Sequence, residues 1–365
     1  MRAVLSLVIG LGLSLGATAC GAANHEAATS SSPASAAKRF LARYVTADGR
    51  VIRHDQGGDI VSEGQAYGML IAEAAGRPGL VRTIWSWTDA RLRRSDGLFA
   101  WHATGAGQVE DPASATDADV LIAYALLSYK GADQSALHSA GRSVAGAVLS
   151  NEAVSGPSGG HSGPILVAGP WAKSTTPAAT VDPSYLMPGV FDAVARLTGD
   201  QRWRRAADTA IVLIRGLTDD GRRLPPDWAQ LSGSRLVPVA QPGGGAGVQF
   251  GPDAARIPIW FATACDQGAR ALAAAWWRNV LHTNGGTSAT AMSLTGATIT
   301  PGSSPLTALA AAAAATAAGD LARARDLRAR AEALARRSPT YYGDAWAALG
   351  PSLLDARINP CRADT

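Results

Sequence analysis

Apolar residues return every three or four positions along most of the chain, and strand-like runs are few. Twelve segments carry the helical spacing: residues 36–45, 64–76, 81–91, 118–129, 134–149, 189–198, 201–217, 256–265, 267–281, 306–318, 321–336 and 341–349. Gly, Pro or Asp-Gly pairs separate them, so the pattern predicts an all-α fold of about a dozen helices joined as hairpins. The alanine-rich run from Ala310 to Ala318 is low in complexity. Pro305 before it and Gly319 after it mark ordinary helix ends, and its small side chains predict close helix packing. Three loops rich in Gly, Pro and Ser interrupt the pattern at residues 151–163, 231–251 and 283–304. Loops of this length on a rigid frame commonly shape a binding groove. Gly243-Gly244-Gly245 lacks the flanking strand and helix of a phosphate cradle and reads as a flexible loop.

The N-terminal pattern is different. Arg2 precedes an apolar run from Ala3 to Ala19 that is short for a membrane span and reads as a secretory signal, residues 1–19. Ala17-Thr18-Ala19 fits a small-x-small cleavage site, and Cys20 directly after it fits a bacterial lipobox, which makes Cys20 a candidate acylated N-terminus. Residues 20–37, rich in Ala and Ser, read as a lipidated, disordered tether. Residues 38–365 then form one large domain, because no interior linker is long enough to divide them. The chain is expected outside the cytoplasm, as a surface lipoprotein or a secreted protein.

Composition removes several classes. The 33 basic and 29 acidic residues give a net charge of +4, too mild to argue for nucleic acid. The arginines at 323–337 follow helical spacing and read as a solvated face. Six histidines without a His-x-x-x-His pair, and three cysteines without Cys-x-x-Cys, suggest no metal site. With Cys20 assigned to the anchor, Cys265 and Cys361 either pair in the oxidising compartment or remain separate thiols; spacing alone leaves both open.

Three acidic segments carry candidate chemistry. Glu63, in Ser62-Glu63-Gly64-Gln65-Ala66-Tyr67-Gly68, heads a nearly charge-free stretch running to Ala72. Desolvation there would raise its pKa and make it a usable general acid, while Ser62-Glu63 also reads as an ordinary helix cap. Asp117 and Asp119, in Ala115-Thr116-Asp117-Ala118-Asp119, stand at the start of a helix expected to be amphipathic, where capping is again the plain alternative. Leu121 and the lack of a following glycine argue against a calcium loop. Asp253, in Gly251-Pro252-Asp253-Ala254-Ala255-Arg256, is spaced to pair with Arg256 across one turn, which would keep it ionised. One carboxyl held as acid beside another held as anion is the division of labour that glycoside hydrolysis needs.

Aromatic residues supply the other half of a sugar site. Trp101, Tyr185 and Trp228 sit in loops or beside turn residues, where flat rings can stack on pyranose faces while a neighbour such as Asp227 bonds hydroxyls. Ten tryptophans against five phenylalanines adds weak support, since any one tryptophan is more often core.

These segments, in this order, resemble glycoside hydrolase family 8, the bacterial endoglucanase family, and especially the cellulases associated with cellulose synthesis. The resemblance lies in Ser62-Glu63-Gly64-Gln65 to Tyr67-Gly68, the Asp117 helix, Asp182-Pro183-Ser184-Tyr185-Leu186, Pro226-Asp227-Trp228, Asp253-Ala254 to Arg256, and Tyr341-Tyr342. It implies an (α/α)6 barrel with a substrate cleft at one end and an inverting endo-β-1,4-glucanase acting on a β-linked polysaccharide. By similarity Glu63 is the general acid, Asp253 the base that activates water, and Asp117 the acid contacting the sugar at the cleavage point. Trp101, Tyr185, Asp227, Trp228, Arg256 and Tyr342 are the substrate-binding candidates. No cofactor or metal is implied, no nucleic-acid or further membrane contact, and a monomer is expected. The chain departs from the family at Pro252, where an aromatic is usual, and at Asp182, where asparagine is common before Pro-Ser-Tyr. A glycan-binding surface lipoprotein with little or no catalytic activity is the alternative, and a lyase or cyclase on the same barrel would want a metal or a Tyr/His base constellation.

Overall fold

Helical hairpins alternate between an inner and an outer ring in the computed structural model, which describes residues 33–155, 163–174, 178–283 and 289–361. The helices are α1 (Pro33–Tyr44), α2 (Ser62–Ala74), α3 (Pro78–Leu92), α4 (Thr116–Ser128), α5 (Gln134–Asn151) and α6 (Pro188–Thr198). They continue as α7 (Gln201–Leu217), α8 (Ile257–Ala262), α9 (Gln267–Trp276), α10 (Pro305–Ala317), α11 (Leu321–Arg337) and α12 (Tyr341–Leu354). The even-numbered helices touch in sequence, α2 to α4, α4 to α6, and on through α8, α10 and α12 back to α2, closing a ring. Each odd-numbered helix packs outside its neighbours in the chain. This is the (α/α)6 barrel that the sequence resemblance implies.

Burial explains which helix goes where. Residues Leu306 to Ala315 of α10 are all buried, and so are Thr116 to Leu127 of α4. A helix apolar all round must be enclosed by protein. In α11, by contrast, only Ala324, Leu327, Ala331 and Ala335 are buried, a single stripe at three- and four-residue spacing. Helix α4 was expected to be amphipathic; it is instead an inner-ring helix covered on every side.

Because inner helices alternate with antiparallel outer ones, all inner helices run the same way. Their N-terminal ends, at Ser62, Thr116, Pro188, Ile257, Pro305 and Tyr341, gather at one end of the barrel. The connections entering that end carry the short strands. Ile60–Val61 pairs antiparallel with His102–Ala103, and Thr180–Val181 pairs with the hairpin Trp228–Ser232 and Arg235–Val239.

Several local expectations are corrected. The loops expected at 231–251 and 283–304 contain strands Arg235–Val239, Ala289–Met292 and Thr298–Pro301. The helix expected over 267–281 stops at Trp276 and widens into a π turn, Trp277–Leu281. Helix α12 runs through Pro351, since the buried Ser352 and Leu353 hold its last turn in place. The tether expected over residues 20–37 is overtaken at Pro33 by α1, which buries Ala36 and Ala37. The signal reading of residues 1–19 and the acylation of Cys20 lie outside the described residues. No helix among the described residues is long and apolar enough to cross a membrane.

Cys265 and Cys361, left open by spacing, are joined in a disulfide with Cα atoms 5.2 Å apart. It ties the segment after α12 to the end of α8 and closes a loop of sequence separation 96. Reduction or Cys265→Ser is expected to lower unfolding free energy by about 2–4 kcal/mol, seen as an earlier urea midpoint. An unchanged midpoint after verified reduction would show that the bond restrains nothing.

Candidate active site

At the N-terminal end of the inner ring, one buried guanidinium gathers four carboxyl groups. Arg256 is 3 % exposed. Its Nη1 donates to Glu63 Oε1 at 2.9 Å and to Asp117 Oδ2 at 2.8 Å. Its Nη2 donates to Asp182 Oδ2 and to Asp253 Oδ1, both at 3.2 Å, and its Nε reaches the Asp253 carbonyl at 3.2 Å. The planar fork of arginine suits this, since its several N–H groups point in fixed directions. The ring of Tyr185 lies against it, 5.5 Å from guanidinium carbon to ring centroid.

Each acid arrives from a different element. Glu63 and Asp117 stand in the first turns of α2 and α4, where free amides favour negative charge. Ser62 is not the cap expected: the residue before α2 is Val61, with no side-chain cap bond, and the Ser62 hydroxyl is buried without a partner. Asp117 accepts from the Ala118 amide at 2.8 Å. Gly64 has no side chain because the Tyr341 hydroxyl fills the space, 2.9 Å from where a Cβ would sit. Asp182 caps the short turn Pro183–Tyr185, accepting from both the amide and the hydroxyl of Ser184 at 2.8 and 2.7 Å. Asp253 precedes the turn Ala254–Arg256 that leads into α8.

The acids differ in their exposure and their proton affinity. Burial and the charge of Asp117 push the Glu63 carboxyl up to about 7, against the pull of Arg256 and the Tyr67 hydroxyl, which donates to Oε1 at 2.8 Å. Burial likewise raises Asp117, opposed by Arg256 and the Ala118 amide. Asp182, 1 % exposed, is raised well above the carboxylate range by burial and then by Asp253. The Asp253 side chain is the most open, 37 % exposed against 19 % for Glu63. A partly exposed carboxylate can meet solvent, while a carboxyl that holds a proton near neutrality can donate to a bound group.

Glu63, Asp117, Asp253 and Arg256 line a cleft of about 220 Å³ with Arg53, Ser62, Trp101, Tyr185 and Tyr342. The Trp101 ring stacks on His102 at 4.9 Å, and its carbonyl accepts from the Ser62 amide at 3.0 Å, tying it to the start of α2. The Tyr342 hydroxyl lies 3.5 Å from the Pro252 carbonyl, above the turn that carries Asp253. A larger cavity, about 340 Å³, opens elsewhere, at the C-terminal ends of α2 and α4, but Glu73 is its one carboxyl. Among the described residues no group of three or more His, Cys, Asp or Glu side chains is placed to hold a metal ion.

Of the candidates named from sequence, Glu63, Asp117, Asp253, Trp101, Tyr185, Arg256 and Tyr342 meet in the cleft. Asp227 and Trp228 do not line it. Asp227 Oδ1 accepts from the amides of Gly251 and Ala254, both at 2.9 Å, so it braces the turn presenting Asp253. Only glycine fits at 251, where a Cβ would fall 2.3 Å from Asp227 Oδ2. Trp228 opens the hairpin behind this turn and packs on the core. Sequence reading missed Arg53, which no local pattern marks, and the bonding role of Asp182, whose only signal was its place before Pro-Ser-Tyr.

Comparison with known proteins agrees with this geometry. The family model described as glycosyl hydrolases family 8 matches residues 14–352, and the chain belongs to that family. A protein of Novacetimonas hansenii named "Probable endoglucanase" is 33 % identical over 61 % of this chain and 64 % of its own length. The match thus spans just under two thirds of that relative. The solved endo-beta-1,4-glucanase of Acetobacter xylinum is 25 % identical, with a TM-score of 0.71 over 90 % of this chain and 100 % of its own. A beta-1,3-1,4-glucanase of Paenibacillus sp. X4 shares the fold, with a TM-score of 0.75 at 22 % identity over 89 % of this chain and 91 % of its own.

Replacing Arg256 by Met leaves four buried or half-buried acids without their cation. Such a loss is expected to cost about 3–5 kcal/mol at neutral pH. The deficit should narrow as pH falls toward about 4, because the freed acids then bind protons in the folded state. Urea unfolding of both proteins across pH measures it; a deficit independent of pH would assign the loss to packing alone.

Proposed function

We propose that the protein hydrolyses internal β-1,4 bonds of a glucan by an inverting acid–base reaction. The observation that carries this reading is the Arg256 hub, which holds a proton-retaining Glu63 and a more exposed Asp253 on different nitrogens of one guanidinium, inside a cleft with aromatic walls. Family membership and relatives named as endoglucanases support the substrate class.

In this reading a glucan chain lies across the cleft between Trp101 and Tyr342, with sugar rings against the aromatic faces. Glu63 gives its proton to the glycosidic oxygen as the bond to the anomeric carbon breaks. Asp253 takes a proton from a water attacking the opposite face of that carbon, so no covalent intermediate forms. Asp117, held by Arg256 and the Ala118 amide, contacts the sugar at the cleavage point. Pro252 stands where the resemblance expects an aromatic before the base, and Tyr342, whose hydroxyl lies 3.5 Å from the Pro252 carbonyl, brings a ring to that turn. The apolar leader and Cys20 support export, with a lipid anchor as the finer reading.

The test is release of reducing ends from carboxymethylcellulose, lichenan, chitosan and xylan. Glu63→Gln and Asp253→Asn are each expected to lower the rate by about 10²–10⁴. Wild-type activity should fall as pH rises past about 7, where Glu63 loses its proton. Folded wild type releasing nothing, or Glu63→Gln matching wild type in turnover, would refute the reading.

A further inference from the structure

Behind Asp117 lies a second pair of acids that the reaction does not use. Asp119 and Glu152 are both fully buried. Asp119 Oδ1 accepts from the Phe99 amide at 3.0 Å, and Glu152 Oε1 accepts from the Ser114 hydroxyl at 2.7 Å. Among the described residues the remaining oxygens, Asp119 Oδ2 and Glu152 Oε2, are buried without a well-formed hydrogen bond, and the Thr116 hydroxyl lies beside Glu152. The two carboxyls face each other within reach of a hydrogen bond, which they can form only when one of them carries a proton. Arg94, the cation whose charge reaches the pair, is committed to Asp96, and Asp117 adds a like charge.

We propose that Asp119 and Glu152 retain one shared proton at neutral pH and that the bridged pair positions the cleft. Two buried carboxylates side by side would repel, and among the described residues no cation is bonded to either. With the proton present, the orphaned oxygens satisfy each other. The pair then joins three segments. The Phe99 amide belongs to the strip that ends in Trp101, Ser114 precedes the α4 start carrying Asp117, and the Glu152 carbonyl accepts from Val167 at 2.9 Å. The strip and the helix start carry Trp101 and Asp117, two of the groups that line the cleft. Burial pushes both carboxyls up, and Glu152 raises Asp119 further, as this account requires.

The sign of the linkage is fixed. A folded state that keeps a proton which the unfolded chain releases loses stability as pH rises, by a factor of about ten in the folding constant per pH unit per proton. Asp119→Asn keeps the Phe99 bond through its carbonyl and donates to Glu152 through its amide, so it replaces the proton covalently. Between about pH 5 and pH 7, Asp119→Asn is expected to flatten the stability slope by one such tenfold step per unit. It should also remove a protonated-carboxyl band from the infrared spectrum at neutral pH. Glu152→Gln, which donates in the other direction, should do the same. An unchanged slope and band in both variants would overturn the shared proton.

Positioning is read separately, and that part alone rests on the hydrolase reading above. Asp119→Ala removes both bonds and should lower kcat/KM about tenfold or more below Asp119→Asn. Equal kcat/KM for the two would overturn the positioning role while leaving the proton count standing. If Asp119→Ala does not fold, Asn rescue of folding with the flattened slope still supports the bridge.

Discussion

A single buried cation organises this molecule. Burying a guanidinium is costly, and the cost is met only when several charged hydrogen bonds surround it. Arg256 makes such bonds to Glu63, Asp117, Asp182 and Asp253, which come from four connections that are far apart in sequence. The barrel brings them together because inner helices, separated by antiparallel outer ones, all present the same end. Each of those ends carries free amides that favour a carboxyl, so the fold and the hub reinforce each other.

The hub also separates the acids by environment. Glu63 lies deeper, where burial and the charge of Asp117 favour its protonated form against the pull of Arg256 and Tyr67, while Asp253 sits on a turn nearer to solvent. That turn is not free: Asp227 holds it from behind through two amides. A residue expected to touch sugar therefore acts on the geometry of the proposed base instead. Asp182, buried on the same guanidinium, adds a further acid to the hub.

Helix positions were legible because three- and four-residue periodicity is a local signal, and the acids at Glu63, Asp117 and Asp253 were legible because they sit in compact motifs. The failures have physical causes. Ser62 looks like a cap, but the strand before α2 places Val61 at that position and points the hydroxyl inward. Strand Arg235–Val239 depends on pairing with Trp228–Ser232, and through it with Thr180–Val181, contacts that no local run encodes. Trp228 was read as a loop aromatic for the same reason. Arg53 and Glu152 gain their places from long-range packing, and the Cys265–Cys361 bond from a Cα separation that spacing cannot supply.

The proposed division between Glu63 as acid and Asp253 as base has one stereochemical consequence. Proton NMR of the first reducing ends released from a β-glucan, followed before mutarotation, is expected to show the α anomer appearing first. The β anomer appearing first would mean a covalent intermediate on one carboxylate and would contradict the roles assigned to both.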